Sequence, residues 1–313
     1  MTNRPKIVFG GIDGTGEFWN HNYEKTFVNS HINTLHKEWI DGPSHYRRGP
    51  WWQGDWTWVE ANRIFKCVRD DWKSGAQAVF LAGYSRGGAA VIEIAKWLKE
   101  ENIPVECMVL LDPVDRSRTM GDNWWGTKDT AIVDTVKRVI YAQRDYSAKS
   151  RESFGNCGRV RQSLNTIMHF DDFYCTHGGV GGVPWTEPKN GGFINEGFPD
   201  FETLVTVEQD KLGSEKVKNW VFPMVYEALF QCIERLSKPS IDPVNPPTKN
   251  PSIGPGKGQR IHIVQPGDWL SKIALKYYGD MMKYDIIHKH PENYKIIGPD
   301  PNLIKPGQRL IIP

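Results

Sequence analysis

The chain has 313 residues, 39% apolar and 12% aromatic, enough to build a core and too apolar for a disordered protein. Lysine plus arginine (39) nearly balance aspartate plus glutamate (37), a formal charge of +2, and no basic block is present to track a phosphate backbone, which argues against a nucleic-acid partner. No run reaches the roughly 18 continuous apolar residues of a membrane span, so no transmembrane segment is expected. Residues 1–5 lead directly into a strand-like run, so no Sec-type signal is expected and the chain is read as made in the cytoplasm. Cys67, Cys107, Cys157, Cys175 and Cys232 are scattered without C-x-x-C spacing, which points to free thiols rather than a disulfide framework or a zinc site. No metal-ligand cluster and no cofactor fingerprint is visible.

In chain order, residues 6–9 form a short β-type run ending in Gly10-Gly11. Between 56 and 74 the apolar positions Val59, Ala61, Ile64, Phe65, Val68 and Trp72 carry helical spacing, with Gly75 as C-cap. A strand over 78–82, a small-residue helix to about Asn102, a strand over 105–111 and another over 136–142 follow. Strands alternating with helices predict a mainly parallel α/β sheet. Residues 219–236 read as a closing helix. From Ser237 to Gln259 the sequence is rich in proline, which fixes φ, removes amide donors and leaves little to bury. This stretch is a linker dividing a catalytic-type domain, 1–236, from a compact domain, 260–313.

Between the 78–82 strand and the following helix stands Gly83-Tyr84-Ser85-Arg86-Gly87. A G-x-S-x-G sequence in that setting is a nucleophile elbow, a sharp turn that lifts the serine hydroxyl above the sheet at a helix N-terminus. A serine hydroxyl needs a base to take its proton, and the base needs a carboxylate to hold its tautomer. In this type of fold the chain order is serine, acid, histidine. Only His169 and His177 follow the elbow within the first domain, and His177 opens a glycine-rich loop, His177-Gly178-Gly179-Val180-Gly181-Gly182, suited to carrying an imidazole over the sheet. His169 reads as a sheet or core histidine. Two acids compete: Asp112, ending the 105–111 strand before Pro113, and Asp145, after the 136–142 strand. The oxyanion hole is expected from the amide of Arg86 and an amide of the first-strand loop, among Gly11, Asp13, Gly14 and Thr15. Asp13-Gly14-Thr15 also calls for comparison with the D-x-D-G-T of haloacid dehalogenases, but the nucleophile position there is Gly11, which excludes that chemistry. Only about 75 residues precede the elbow strand, so the first strand corresponds to the third of an α/β-hydrolase and the sheet is shortened at its N-terminal edge. A cluster of Trp39, Tyr46, Trp51, Trp52, Trp56 and Trp58 suits either a lid or acyl-binding wall or ordinary packing, and Trp124-Trp125 likewise.

Together, Asp13-Gly14-Thr15, the G-Y-S-R-G elbow, Asp112-Pro113-Val114 and His177-x-x-Val180-Gly181-Gly182 resemble, in the same order, an α/β-hydrolase family of bacteria and fungi. That family includes phospholipase effectors of type VI secretion systems. The resemblance covers most of residues 5–185. It implies a Ser85, Asp112, His177 triad, a lipase- or phospholipase-type ester hydrolase, a secreted antibacterial effector or toxin role, and a secretion carrier and an immunity protein as partners. The departures are a smaller domain, Pro113 where threonine is commoner, and no long C-terminal membrane-associating region.

Residues 260–313 open Arg260-Ile261-His262-Ile263-Val264-Gln265-Pro266-Gly267-Asp268-Trp269-Leu270 and close Pro301-Asn302-Leu303-Ile304-Lys305-Pro306-Gly307-Gln308. Asp268 is placed to cap a helix containing Leu270, Ile273, Ala274 and Tyr277, which Gly279 ends. The segment resembles a single LysM module, strand-helix-helix-strand, with Trp269 where threonine or serine is usual. The resemblance implies binding of N-acetylglucosamine-containing glycan, peptidoglycan above all, between two loops, Gly267, Asp268, Trp269, Leu270 and Asn302, Leu303, Ile304. A glycan-binding tail without a Sec signal leads to the expectation of export by a signal-independent route into the envelope of a target cell. A cell-wall O-acetyl esterase and a non-catalytic wall-binding or secretion component with a hydrolase scaffold are the alternatives.

Overall fold

The computed structural model describes residues 5–15, 27–49, 57–115, 131–197, 199–237, 260–264, 268, 270–278, 283–298, 301, 304–305 and 307–313. The chain separates into two compact units, Met1–Ser240 and Ile241–Pro313.

The first unit runs β1 (Ile7–Ile12), α1 (His31–Glu38), β2 (Ser44–Arg47), α2 (Thr57–Lys73), β3 (Ala78–Tyr84), α3 (Arg86–Glu100), β4 (Val105–Leu111), β5 (Val136–Arg144) and β6 (Ile167–Phe173). The short helix α4 (His177–Val180), a hairpin β7 (Phe193–Asn195) and β8 (Glu202–Thr206), and the long helix α5 (Val207–Ser237) complete it. The six strands β2-β1-β3-β4-β5-β6 form one sheet in that order, and every pairing is parallel. This order is the one expected with β1 in the place of the third α/β-hydrolase strand and β2 in that of the fourth.

Period-2 alternation divides the sheet's side chains between two cores. Phe9, Phe80, Val109 and Ile140 pack with Ile32 and Leu35 of α1 and Val217, Val221 and Val225 of α5. Val8, Val79, Leu81, Met108 and Val139 pack on the opposite face with Ile64 and Val68 of α2 and Ile94 and Leu98 of α3. The result is a three-layer α/β/α unit. β1 continues through Gly10-Gly11 rather than stopping there, because a Cβ on Gly10 would press on Ile64 and Val68 and one on Gly11 on Phe9 and Ile32; glycine lets those helices lie close. Of the aromatic cluster, Trp39 is a core residue whose Nε1 donates to the Ile7 carbonyl at 3.0 Å. Tyr46 is half-buried against the same core and Trp58 is exposed. Trp51, Trp52, Trp56, Trp124 and Trp125 lie outside the described residues.

The second unit is β9 (Arg260–Ile263), α6 (Leu270–Tyr278), α7 (Tyr284–His288), α8 (Pro291–Ile297) and β10 (Arg309–Ile312), with β9 and β10 antiparallel. It has a core of its own, centred on Leu270, Ile273, Ile287 and Leu310. The second expected helix is two helices, because Pro291 at the first position of α8 cannot donate back to the turn before it. Among the described residues no helix is long and apolar enough to cross a membrane. All five cysteines are free thiols.

Candidate active site

Because the strands of the large sheet are parallel, the loops after β1, β3, β4, β5 and β6 leave from one edge, where α/β sheets gather their chemistry. The residue after β3 is Ser85, held at φ 54° and ψ −125°, a conformation costly for any side chain except glycine. The turn closes because Gly83 and Gly87 carry no Cβ: one on Gly83 would overlap the Gly87 carbonyl, and one on Gly87 would overlap the carbonyls of Ile12 and Asp13. The Ser85 amide donates to the Leu111 carbonyl at 3.0 Å, and its carbonyl accepts from Val114 at 3.0 Å and from Gly88 at 2.9 Å. The backbone beneath the hydroxyl is thereby fixed from β4, from the loop after β4 and from α3.

Asp112 follows β4, also at positive φ (42°), with its amide donating to the Ala142 carbonyl of β5 at 2.7 Å. His177 opens α4 after β6. Its Nε2 lies 2.9 Å from Ser85 Oγ and its Nδ1 2.6 Å from Asp112 Oδ2. An ionised carboxylate only accepts, so Nδ1 carries the proton and Nε2 presents its lone pair to the serine hydroxyl. The imidazole is packed against Tyr84, with ring centroids 4.9 Å apart, and meets the edge of Phe154 at 5.2 Å.

Burial acts against the charged form of both titrating groups. For Asp112 it pushes the carboxyl up, but the charge of Arg144 and the hydrogen bonds from His177 and Arg144 outweigh it and hold the group below the usual carboxylate range. For His177 burial pushes the imidazole down; Asp112 pulls it back up and Arg144 and Arg151 push it down again, so it rests below its ordinary 6.5.

The loop carrying His177 is anchored by groups that the sequence pattern did not single out. Thr176 caps α4, its Oγ1 accepting from Gly179 at 3.1 Å. Asp210, in the first turn of α5, accepts from the Thr176 amide (2.7 Å), the Thr176 hydroxyl (3.0 Å) and the Trp185 amide (2.8 Å). The His177 amide donates to Ser150 Oγ at 2.7 Å, which in turn donates to Glu196 at 2.9 Å. Asn156 donates to Asp112 Oδ1 at 2.7 Å. Arg144, at the end of β5, is buried against Oδ2 of the same carboxylate at 2.5 Å. An arginine or aspartate at a strand or helix end ordinarily reads as a surface charge, and nothing local in the sequence marks these as buried.

Asp145, the alternative acid, is elsewhere. Its Oδ1 accepts from the amide and the hydroxyl of Ser147, each at 2.8 Å, capping the 146–148 turn. Chain order allowed it; the side chain is committed to its own turn. His169 lies on β6 opposite Ile140, away from the serine.

The oxyanion candidates also separate. Arg86 directly follows Ser85 as the first residue of α3. Gly14 abuts the nucleophile, a Cβ there standing 3.0 Å from Ser85 Cβ, and Thr15 follows it. Gly11 is inside β1, paired with Tyr46 and Ala82, so its amide belongs to the sheet. The amide of Asp13 donates to the Arg47 carbonyl at 3.0 Å, which removes it as an oxyanion donor. Instead the Asp13 carboxyl is fully buried, accepting from Ser30 Oγ at 2.6 Å and from the Tyr46 hydroxyl. Burial lifts it to about 7 against the lowering by those two bonds.

In the second unit, Gly267, Trp269, Asn302 and Leu303 lie outside the described residues, as does Gly279. Asp268 faces His262 Nε2 at 2.7 Å and Lys272 Nζ at 3.6 Å. The Leu270 side chain is in the core and so is not glycan-facing, and Ile304 packs half-buried against that core. Among the described residues no group of three or more His, Cys, Asp or Glu could hold a metal.

The LysM domain family model matches residues 262–286. An uncharacterized protein of Deinococcus radiodurans is 50% identical over 56 residues, a stretch that takes in 18% of this chain and 20% of that protein. Among solved structures, Est1E from Butyrivibrio proteoclasticus aligns with TM-score 0.37 and 14% identity over 72% of this chain and 89% of its own. The type II thioesterase BorB from the borrelidin biosynthetic cluster aligns with TM-score 0.32 and 11% identity over 56% of this chain and 87% of its own.

Proposed function

We propose that the first unit is a serine hydrolase of carboxylic esters, with Ser85 as nucleophile, His177 as general base and acid, and Asp112 as the group that orients and stabilises the imidazole. The observation that carries this reading is the continuous chain Ser85 Oγ, His177 Nε2, His177 Nδ1, Asp112 Oδ2 at 2.9 and 2.6 Å on a strained elbow. Ser85 Oγ attacks the ester carbonyl as its proton passes to His177 Nε2. The amides of Arg86 and of Gly14 or Thr15 receive the negative charge on the former carbonyl oxygen. The tetrahedral adduct collapses as His177 protonates the departing alcohol. Water, deprotonated by the same nitrogen, then releases the acid from Ser85.

The LysM match supports a wall-directed second unit, holding N-acetylglucosamine-containing peptidoglycan with the 267–270 and 302–304 loops. That ligand lies outside the cytoplasmic membrane, so the enzyme works in an envelope. The resemblance to secreted phospholipases supports lipid or phospholipid as the ester, and an antibacterial effector delivered into a target cell with a carrier and an immunity protein. The LysM match favours one second reading, an esterase that removes O-acetyl groups from the glycan its own module binds. Incubation with phospholipid vesicles and with O-acetylated peptidoglycan separates them: fatty acid from the first supports the lipase, acetate from the second alone supports the wall esterase. Hydrolysis of neither, by folded protein, would leave a wall-binding protein with a silent scaffold.

A further inference from the structure

Triad carboxylates in general face one base; in this protein the carboxylate is shared. Asp112 Oδ2 accepts from His177 Nδ1 at 2.6 Å and from Arg144 at 2.5 Å, with the arginine side chain 1% and the aspartate 0% exposed. The rest of the guanidinium is equally committed: Nε donates to the Ser150 carbonyl at 2.7 Å and the remaining nitrogen to the Arg151 carbonyl at 3.0 Å. Ser150 is the residue whose hydroxyl accepts the His177 amide. Arg144 therefore touches the acid directly and the backbone of the base through one residue. We propose that Arg144 is a positioning residue that fixes Asp112 and the 150–151 loop and, through its charge, biases His177 toward passing on the proton it takes from Ser85.

The bias follows from counting charge. A buried carboxylate and an imidazolium are together neutral, so a triad without further charge stabilises the protonated histidine. Here the carboxylate is already neutralised by a buried cation, and protonation of His177 leaves the cluster at net +1. That state is disfavoured until the negative oxyanion forms beside it. His177 is thus a weaker resting base and a stronger acid toward the leaving group. An alkoxide of an aliphatic alcohol needs that acid most, an aryloxide or thiolate least. The inference rests on the serine-hydrolase reading and narrows its substrate class to esters of aliphatic alcohols, as in lipids and acylated sugars.

Among the other charged and titratable groups around His177, only Arg151 pushes the same way, and less than Arg144. Arg151 lies 3.8 Å from Glu196 and 3.9 Å from Asp200, and its side chain is 23% exposed, so water screens its charge more than that of the buried Arg144. Tyr84, packed against the imidazole, is held neutral, pushed well above its ordinary value by burial and by Asp112 and Asp13. Asp210 reaches the histidine loop only through Thr176, and burial pushes both it and Glu196 up toward their neutral forms. Arg144 is the cation in ion-pair contact with the triad among the described residues.

Two measurements on the full chain test this. First, nuclear magnetic resonance titration of the imidazoles, with His177 assigned by its loss in His177→Gln, should show its midpoint higher in Arg144→Gln than in the wild type, where burial and Arg144 both push it down; a midpoint unmoved in Arg144→Gln overturns the proposal, whether or not any ester is turned over. Second, the acid limb of kcat/KM on an alkyl ester should move up by about 1–2 pH units in Arg144→Gln and stay near wild type in Arg144→Lys. The Arg144→Gln variant should also lose more on an alkyl ester than on the matching p-nitrophenyl ester. A reduced rate with an unmoved limb would make Arg144 structural only and refute the electrostatic role. Absence of turnover in the wild type would fail the hydrolase reading while the titration still decides this one.

Discussion

Ser85, His177 and Asp112 act as one unit if the site works as proposed, so their removal is grossly non-additive. Ser85→Ala and His177→Ala are expected to reduce kcat by about a million-fold and Asp112→Asn by about ten thousand-fold, with the Ser85→Ala/His177→Ala double variant little worse than either of its singles. Asp145→Asn should leave the rate within a factor of about two, since its carboxylate serves only the 146–148 turn. Steady-state kinetics on one soluble ester checks all five. Asp13 gives a prediction about stability instead. Its carboxyl ionises near 3.8 in the unfolded chain and about 7 in the folded protein. Below pH 4 both states hold the proton and nothing is lost. Between 4 and 7 the unfolded state ionises first, so the folded protein loses stability as pH rises, to a limit of roughly 4 kcal/mol. Asp13→Asn cannot ionise, so in urea titrations its stability should fall less than that of the wild type from pH 5 to pH 8; parallel pH dependence would contradict the assignment of that loss to Asp13. What the sequence singled out at this scale was Ser85 and His177, through the elbow and the chain order, and the structure brings them together. Strand position alone did not separate Asp112 from Asp145, and only the resemblance favoured Asp112; Arg144 stayed hidden, because a cation at a strand end carries no local sign of burial.

Among elements, the closest approach is that of the β3–α3 elbow to the end of β1. A Cβ at Gly87 meets two backbone carbonyls that cannot rotate away, so Gly87→Ala is expected to destabilise by about 1–3 kcal/mol and to displace Ser85, while Gly192→Ala, whose Cβ would meet only the Pro188 ring at 3.7 Å, should be near neutral. Thermal melts of the two variants give the comparison. α5 reaches the site as well: Asp210 in its first turn accepts three hydrogen bonds from the His177 loop, and Asp210→Ala leaves those donors unmet in a buried position. The length of that helix was the least legible. Its apolar periodicity begins only near residue 219, whereas it starts at Val207 through the mostly polar stretch 208–216, held there by tertiary contacts. β2 and β6 were missed for a related reason. The sequence Ser44–Arg47 is short and polar, and Ile167–Phe173 is a largely exposed edge strand without clean alternation, so pairing with β1 and β5 rather than propensity makes each a strand.

At the scale of the whole molecule, the two units have separate cores with no shared residue, and the linker between 237 and 259 is what composition marked most plainly. Binding and hydrolysis should then fail independently. Asn293 is fully buried in the second unit, donating to the carbonyls of Ile287 (2.8 Å) and Ile311 (2.7 Å) and accepting from the Ile311 amide at 2.7 Å. Asn293→Ala removes the side chain that ties α8 to β10, and is expected to cost about 2–4 kcal/mol in that unit. Peptidoglycan sedimentation should be lost while turnover of a soluble ester persists. The central claim, that Ser85 is a nucleophile activated by His177, is tested most directly by treating the full chain with a fluorophosphonate and mapping the adduct by peptide mass spectrometry. The arrangement predicts one adduct, on Ser85, in the wild type and almost none in His177→Ala. An unlabelled wild type, or a labelled one whose adduct lies on another residue or is indifferent to His177, would contradict it.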